Sequence, residues 1–311
     1  MTRNLVLSAA TGAALACIAP FAGAAAKSTN KGVAASDVVR AQVLLDRAWF
    51  SVGEIDGGSG ANMKRALKAF QEARGIKVSG QLDAATWEAL GGKDTDVFTE
   101  YTITGKDAAG PFVKIPKSPM DRAKLPYLGF EDLGEALSER FHVSPKLLRA
   151  LNPGKKLAAG TIIRVPMIES GAIRKAASIR IQKKERVLVA LDAESRPIAH
   201  FPISLGTPRD ELPAGMLKVT NEVTNPSFDY DPSLLHDNNP AHKKVTIAPG
   251  PNNPIGVLWM GLSKKHYGIH GTASPSTVGH NETNGCVHLT NWDAMKLSSI
   301  ASAGIPVEVR D

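Results

Sequence analysis

Cysteine is scarce in this 311-residue chain, which has only Cys17 and Cys286. Two cysteines cannot lace together a disulfide scaffold. Aromatic residues make up only 5% of the sequence, so its cores have to rest on aliphatic side chains. Long like-charge blocks and low-complexity tracts are missing. With 43% hydrophobic and 22% charged residues, the composition excludes a mostly disordered chain. Beyond the first residues no stretch approaches 18 uninterrupted apolar positions, so no membrane span is predicted there. The chain does have an excess of base, 37 Lys and Arg against 30 Asp and Glu, for a formal charge of +7. Such a balance favours a polyanionic partner. Because the basic residues are scattered and not gathered on one helix, nucleic acid is not that partner. The length is about twice that of an ordinary domain and predicts two or three folded units.

Residues 1–26 carry Arg3, an apolar stretch from Leu5 to Pro20, and then Phe21-Ala22-Gly23-Ala24-Ala25-Ala26. A charged start, a short apolar run and small residues at the end predict a secretory signal, cleaved after Ala24 or Ala26. Acylation at Cys17 is the alternative, but it asks for an aliphatic residue where the chain has Ala14. The expected location is the periplasm or cell wall, where a polyanion is a wall polymer or a lipid headgroup. If Cys17 leaves with the signal, Cys286 becomes a lone thiol in an oxidising compartment. It is then either buried and inert or kept for its reactivity.

Three helices are predicted within residues 36–92. The first runs over 36–50, with Ser36 as N-cap and Val39, Val43 and Leu44 at helical spacing. The second runs over 61–74, with Met63, Ala66, Leu67 and Phe70 inward and Gly75 ending it. The third, Ala-Thr-Trp-Glu-Ala-Leu, follows Asp83. Residues 55–67 align with 78–90, each a glycine turn followed by a helix. With Ala41-Gln42, Leu45, Gly53-Glu54-Ile55-Asp56-Gly57, Ala66 to Gln71, Gly75-Ile76, Gly80, Thr86-Trp87 and Leu90, the segment resembles the peptidoglycan-binding family 1 domain. A generic three-helix bundle is the alternative.

Residues 100–168 pass through a proline-rich connection (Pro111, Pro116, Pro119, Pro126). Two short helices over 135–153, broken at Ser144-Pro145, and strands at Tyr101-Thr102-Ile103 and Thr161 to Pro166 are predicted. The segment resembles a degenerate lysin motif carrying an insertion. Over 178–311 the periodicity changes to short strand-like runs between Pro/Gly turns, and helical pattern returns only at Trp292–Ala303. The expected fold class is therefore multidomain α+β, with a small N-terminal helical bundle, a lysin-motif-like middle segment and a mainly-β C-terminal domain.

Seven of the eight histidines lie in that last domain. Tyr267-Gly268-Ile269-His270-Gly271-Thr272 is followed by Thr283-Asn284-Gly285-Cys286-Val287-His288, and His270 precedes Cys286 by sixteen residues. A thiol needs a partner to form the attacking thiolate near neutral pH, and imidazole can supply one. Glycine before the cysteine permits a sharp turn and close approach of substrate. These motifs, with Phe201 to Gly206, Leu212 to Gly215, Pro251 to Gly256 and Leu289 to Asp293, resemble the L,D-transpeptidase catalytic domain.

The resemblance implies Cys286 as nucleophile, His270 as proton donor and acceptor, and cross-linking or remodelling of peptidoglycan through a cysteine thioester, releasing D-alanine from tetrapeptide stems. It further implies peptidoglycan as partner, covalent inhibition by carbapenems, and no metal or other cofactor. Gly285, Gly271, Thr272, Tyr267, Asn284, His288, Trp259 and Asn252 are candidates for oxyanion or substrate contacts. Two positions depart from the family pattern: Asn284 stands where histidine is common and His288 where arginine is common. An arginine suits a carboxylate better than an imidazole does. His266 and His270 have the spacing of metal ligands on a helix, but Gly268 and Gly271 argue against a helix there. No Gly-x-Ser-x-Gly motif occurs, which disfavours serine chemistry. The alternatives are an L,D-carboxypeptidase that uses water as acceptor and a non-catalytic wall-binding protein.

Overall fold

The computed structural model describes residues 36–206, 211–280, 282–283 and 285–311. The expected signal, Cys17 and Asn284 lie outside the described residues. The N-terminal helices are α1 (Asp37–Arg47), α2 (Ala61–Ala73) and α3 (Ala84–Ala89). Ser36 and Asp83 cap α1 and α3, and Gly75 takes the left-handed φ of 65° just past α2. The internal repeat has a physical basis in two glutamines. Gln42 on α1 accepts from the backbone of Asp56 and Gly57, and Gln71 on α2 accepts from that of Gly80. Each helix thus holds the glycine turn that follows it. Leu45, Ile55, Ala66 and Phe70, all fully buried, fill the core between the helices.

The middle segment runs β1 (Phe98–Thr102), α4 (Gly105–Ala109), α5 (Pro119–Arg122), α6 (Leu133–Arg140), α7 (Pro145–Leu151) and β2 (Ile162–Pro166). β1 and β2 pair antiparallel, with α6 and α7 lying between them in sequence. Ser144 caps α7 and Pro145 occupies its first turn, which explains the break between the two helices. Helices α4 and α5 fall where the sequence predicts only a connection.

The C-terminal part contains β3 (Ser178–Gln182), β4 (Val187–Leu191), β5 (Pro197–Pro202), β6 (Leu205–Gly206), β7 (Gly215–Thr224), β8 (Phe228–Tyr230), β9 (Val245–Ile247), β10 (Leu258–Leu262), β11 (Gly268–His270), β12 (Glu282–Thr283), β13 (Val287–His288), α8 (Asn291–Ile300) and β14 (Pro306–Arg310). Eight strands form one sheet in the order β13-β11-β10-β7-β14-β3-β4-β5. Residues 215–218 of β7 pair with β14 and residues 219–224 pair with β10, so this long strand joins the two halves of the sheet. Alternation of side chains sends Leu258, Met260, Ile269 and Val287 to one face, into a core with Leu297 and Ile300 of α8. Trp259, His270 and His288 therefore lie on the other face.

The N-terminal helices do not hang from this domain but are packed onto it. The Ser51 amide donates to the His200 carbonyl at 2.9 Å, and the His200 amide donates to Trp49 at 2.8 Å. Asn62 of α2 donates to the Val278 carbonyl at 2.9 Å, which ties this helix to the loop before Cys286. A single buried carboxylate joins all three parts: Asp46 of α1 meets Lys296 Nζ of α8 at 3.0 Å and His142 Nδ1, after α6, at 3.2 Å.

Candidate active site

The site follows from strand register. Val223 of β7, Trp259 of β10, His270 of β11 and His288 of β13 are cross-strand partners and form one row over four strands. Cys286 precedes His288 by two residues and so faces the same side. Its thiol donates to the His266 carbonyl oxygen at 3.6 Å and also meets the Gly268 backbone. Gly285 has a φ of 103°, a conformation that glycine alone adopts without strain, and this sets the turn that presents Cys286. Gly268 has to be bare because the Trp259 indole lies over it; a Cβ there would stand 2.5 Å from the ring.

The His270 imidazole is stacked on Trp259, with ring centroids 5.6 Å apart and planes 18° apart, and lies 4.2 Å from the His288 ring. Its Nδ1 is 2.6 Å from the Gly271 carbonyl oxygen. A carbonyl only accepts, so Nδ1 carries the proton and Nε2 is left as the basic nitrogen. Gly271 is itself fixed: a Cβ would come 2.2 Å from Asn291 Oδ1. Its amide donates to Leu258 at 3.2 Å. That hydrogen bond uses the Gly271 donor within the sheet, so of the oxyanion or substrate contacts expected at Gly271 the amide is not free to make the first.

Burial controls the charge states. It holds His270 down to about 4, against the smaller upward effect of the Gly271 hydrogen bond. Burial pushes the Cys286 thiol up to about 11, opposed by its contact with the Gly268 backbone. Burial and then the neighbouring His270 lower His288 well below its ordinary value. Burial thus favours thiol over thiolate at Cys286 and neutral imidazole over imidazolium at His270. Alkylation of Cys286 by iodoacetamide should therefore rise about tenfold per pH unit between pH 7 and 10. A rate already level below pH 7 would mean a thiolate–imidazolium pair instead.

Cys286, His270, His288, Trp259, Tyr267 and Thr272 line one cleft of about 1170 Å³. That exceeds the roughly 300–1,000 Å³ of small-molecule pockets and suits a peptide. Tyr267 donates from its hydroxyl to the Glu211 carbonyl, and Thr272 accepts from the Ser274 amide. Asn252 is a correction. It is buried away from the cleft, where its amide donates to the Gly129 carbonyl and to Glu135 Oε1, both at 2.9 Å. Its role is to join the middle segment to the loop before β10. His280 is exposed outside the cleft lining, and its carbonyl accepts from Arg186.

The sequence gives no sign of the opposite wall. Phe228, Tyr230, Leu234 and His236 come from the β8–β9 region, and Pro119 and Arg122 come from α5 in the middle segment. Only the spacing of Pro119 after Ser118, a helix-start signal, hints at α5. Among the described residues no group of three or more His, Cys, Asp or Glu side chains is placed to hold a metal ion. No described helix is long and apolar enough to cross a membrane.

Residues 176–309 match the family model described as "L,D-transpeptidase catalytic domain", and residues 34–90 match that described as "Putative peptidoglycan binding domain". The chain is 27% identical over 179 residues to the "Putative L,D-transpeptidase YkuD" of Bacillus licheniformis, covering 56% of this chain and 92% of that protein. To the Bacillus subtilis protein of the same name it is 26% identical over 181 residues, covering 57% and 93%. A solved L,D-transpeptidase structure from Xylanimonas cellulosilytica aligns with 14% identity and a TM-score of 0.40, covering 89% of this chain and 95% of that one. The chain thus matches the L,D-transpeptidase catalytic-domain family over residues 176–309, behind a match to the putative peptidoglycan-binding family over residues 34–90.

Proposed function

We propose that this is an exported L,D-transpeptidase that cross-links or remodels peptidoglycan through a thioester on Cys286. The observation that carries this reading is the shared face of β11 and β13, where Cys286 lines the same cleft as an imidazole whose Nδ1 is fixed and whose Nε2 is basic. The donor is a tetrapeptide stem ending in an amide between the L-centre of a diamino acid and D-alanine. Cys286 Sγ attacks that carbonyl while His270 Nε2 takes the thiol proton. The C–N bond then breaks, the proton passes from His270 to the leaving amine, and D-alanine departs. An acceptor amine attacks the thioester and gives a proton to His270, and the thiol is restored. The energy of the cleaved amide is kept in the thioester, so no nucleotide is needed outside the cytoplasm.

Residues 1–26 serve as the export signal in this reading. The N-terminal domain binds the polymer and raises the effective concentration of stems at the cleft. Its packing against the sheet makes it an oriented support. A carbapenem is expected to acylate Cys286.

Purified mature protein incubated with tetrapeptide muropeptides should yield cross-linked dimers and free D-alanine, read by mass spectrometry. Tripeptide monomers alone would mean that water is the acceptor and would replace transpeptidation with hydrolysis. Unchanged muropeptides with folded protein would contradict both.

A further inference from the structure

The cleft wall opposite the catalytic residues belongs in part to another module. Helix α5 is started by Ser118, whose hydroxyl accepts from the Met120 amide, and by Pro119 in its first turn. The chain after it is pinned to the loop before β10: the Leu128 amide donates to Pro249 at 2.8 Å, and the Asn252 amide donates to Leu128 at 3.0 Å. Gly250, at a φ of 140°, allows this approach, since a Cβ there would lie 2.2 Å from the Leu128 carbonyl oxygen. Met120, Leu125 and Leu128 then pack with Tyr230 and Ile247 of β8 and β9. These backbone bonds and this apolar cluster hold α5 at the rim of the catalytic cleft.

Arg122 ends α5 and lines the cleft. Its Nε donates to the Pro116 carbonyl at 2.7 Å, which fixes the direction of the guanidinium. Among the described residues no carboxylate pairs with it, and burial is the one influence that lowers its pKa. The acidic groups of the lining have other partners: Asp231 is paired with Lys244 at 2.7 Å, and Asp229 accepts from Thr246 at 2.8 Å. Lys265 also lines the cleft, but it stands exposed on the turn between β10 and β11. Across the cleft, His288 occupies the position where the family pattern has arginine, and burial keeps it uncharged. A half-buried guanidinium that lines a peptide-sized cleft and is anchored through Nε is suited to a carboxylate held by two parallel hydrogen bonds.

We infer that Arg122, supplied by the insertion in the middle segment, is a substrate-positioning residue that binds a carboxylate of the acyl-donor peptide in the Cys286 cleft. This rests on the reading of the cleft as a donor site for wall stems. Two carboxylates of such a stem could meet Arg122: that of the leaving D-alanine and the free one on the diamino acid. The middle segment is then part of the substrate site as well as a spacer.

The test uses the full mature chain with Cys286→Ala, which binds without reacting, and titrates three tetrapeptide donors by calorimetry: the free acid, the D-alaninamide form, and the form amidated on the diamino acid. Adding Arg122→Ala should weaken the free acid about 10- to 100-fold. One of the two amidated donors should bind both proteins equally weakly, and that donor identifies the carboxylate. Arg122→Lys should retain part of the affinity. Equal affinity of the two proteins for all three donors, an equal loss on all three, or no binding of any donor would overturn the inference. Acylation of the Cys286 enzyme by the same donors, read by intact mass, reports on the thioester mechanism separately.

Discussion

Replacing His270 with alanine lowers kcat/KM for release of D-alanine from a tetrapeptide donor by about 10²- to 10⁴-fold while the protein stays folded. The size follows from the resting charge states. With the thiol held up to about 11 and the imidazole down to about 4, almost no thiolate is present at neutral pH. Attack then depends on a base that removes the proton as the S–C bond forms, and His270 Nε2 is left free for this by the Nδ1 bond to Gly271. The wild-type pH profile should rise as pH increases through about 4, where His270 loses its proton, and then stay level to alkaline pH. In the variant the reaction runs through the rare thiolate, so its rate should climb about tenfold per pH unit from 6 to 10. A variant that keeps more than about a tenth of the activity, or shows the same level profile, would remove His270 from the role of base.

The second large effect concerns stability at the junction of the three modules. Asp46 is fully buried, and its carboxylate is held down to about 2. Burial opposes that shift, but the attraction of Lys296 and then His142 outweighs it. Lys296 is largely buried as well, with 13% of its side chain exposed. Removing the carboxylate takes away the charge that this ammonium bonds and leaves it the Asp46 backbone carbonyl at 2.9 Å, and breaking such a buried pair costs about 3–5 kcal/mol. Asp46→Ala should therefore lower the unfolding free energy by that amount. Lys296→Met should cost a similar amount, and the double variant should cost clearly less than the sum of the two. Losses below about 0.5 kcal/mol for both single variants would show that the pair does not hold the modules together.

The two buried carboxyls at this junction make opposing contributions to the pH dependence. Because the Asp46 value is depressed, its stabilisation is present above the ordinary carboxyl value near 3.8 and is lost as pH falls toward about 2. Asp293, buried beside Asp46, is raised to about 7, chiefly by burial and then by that neighbour. Its contribution is present below its ordinary value and is lost as pH rises toward about 7. Relative to the parent protein, Asp293→Asn should therefore lose less unfolding free energy, or gain more, between pH 4 and 7.

What the sequence makes legible is what depends on near neighbours in the chain. Ser36, Asp83 and Ser144 mark helix starts, and the period of Met63, Ala66, Leu67 and Phe70 gives the buried face of α2. Cys286 and His270 stand out because glycine turns flank them and two-residue alternation sends both to one face. The second wall of the cleft depends on contacts between distant segments. Leu128 meets Pro249, and Asn252 meets Gly129 and Glu135, and no local pattern announces either pairing. Asn252 consequently reads as a cleft residue in sequence although its amide is used for joining modules. The Asp46, His142 and Lys296 group is equally hidden, with partners 96 and 250 residues away. The charge states of Cys286 and His270 are also set by burial, which no local pattern announces.

The central claim is a covalent thioester at Cys286, and intact-mass spectrometry of the protein mixed briefly with a tetrapeptide donor tests it most directly. The account predicts a species heavier by the donor minus D-alanine, mapped to the peptide containing Cys286, sensitive to hydroxylamine and absent from Cys286→Ala. Turnover of the donor by the Cys286→Ala protein, or an adduct that maps elsewhere in the chain, would contradict it.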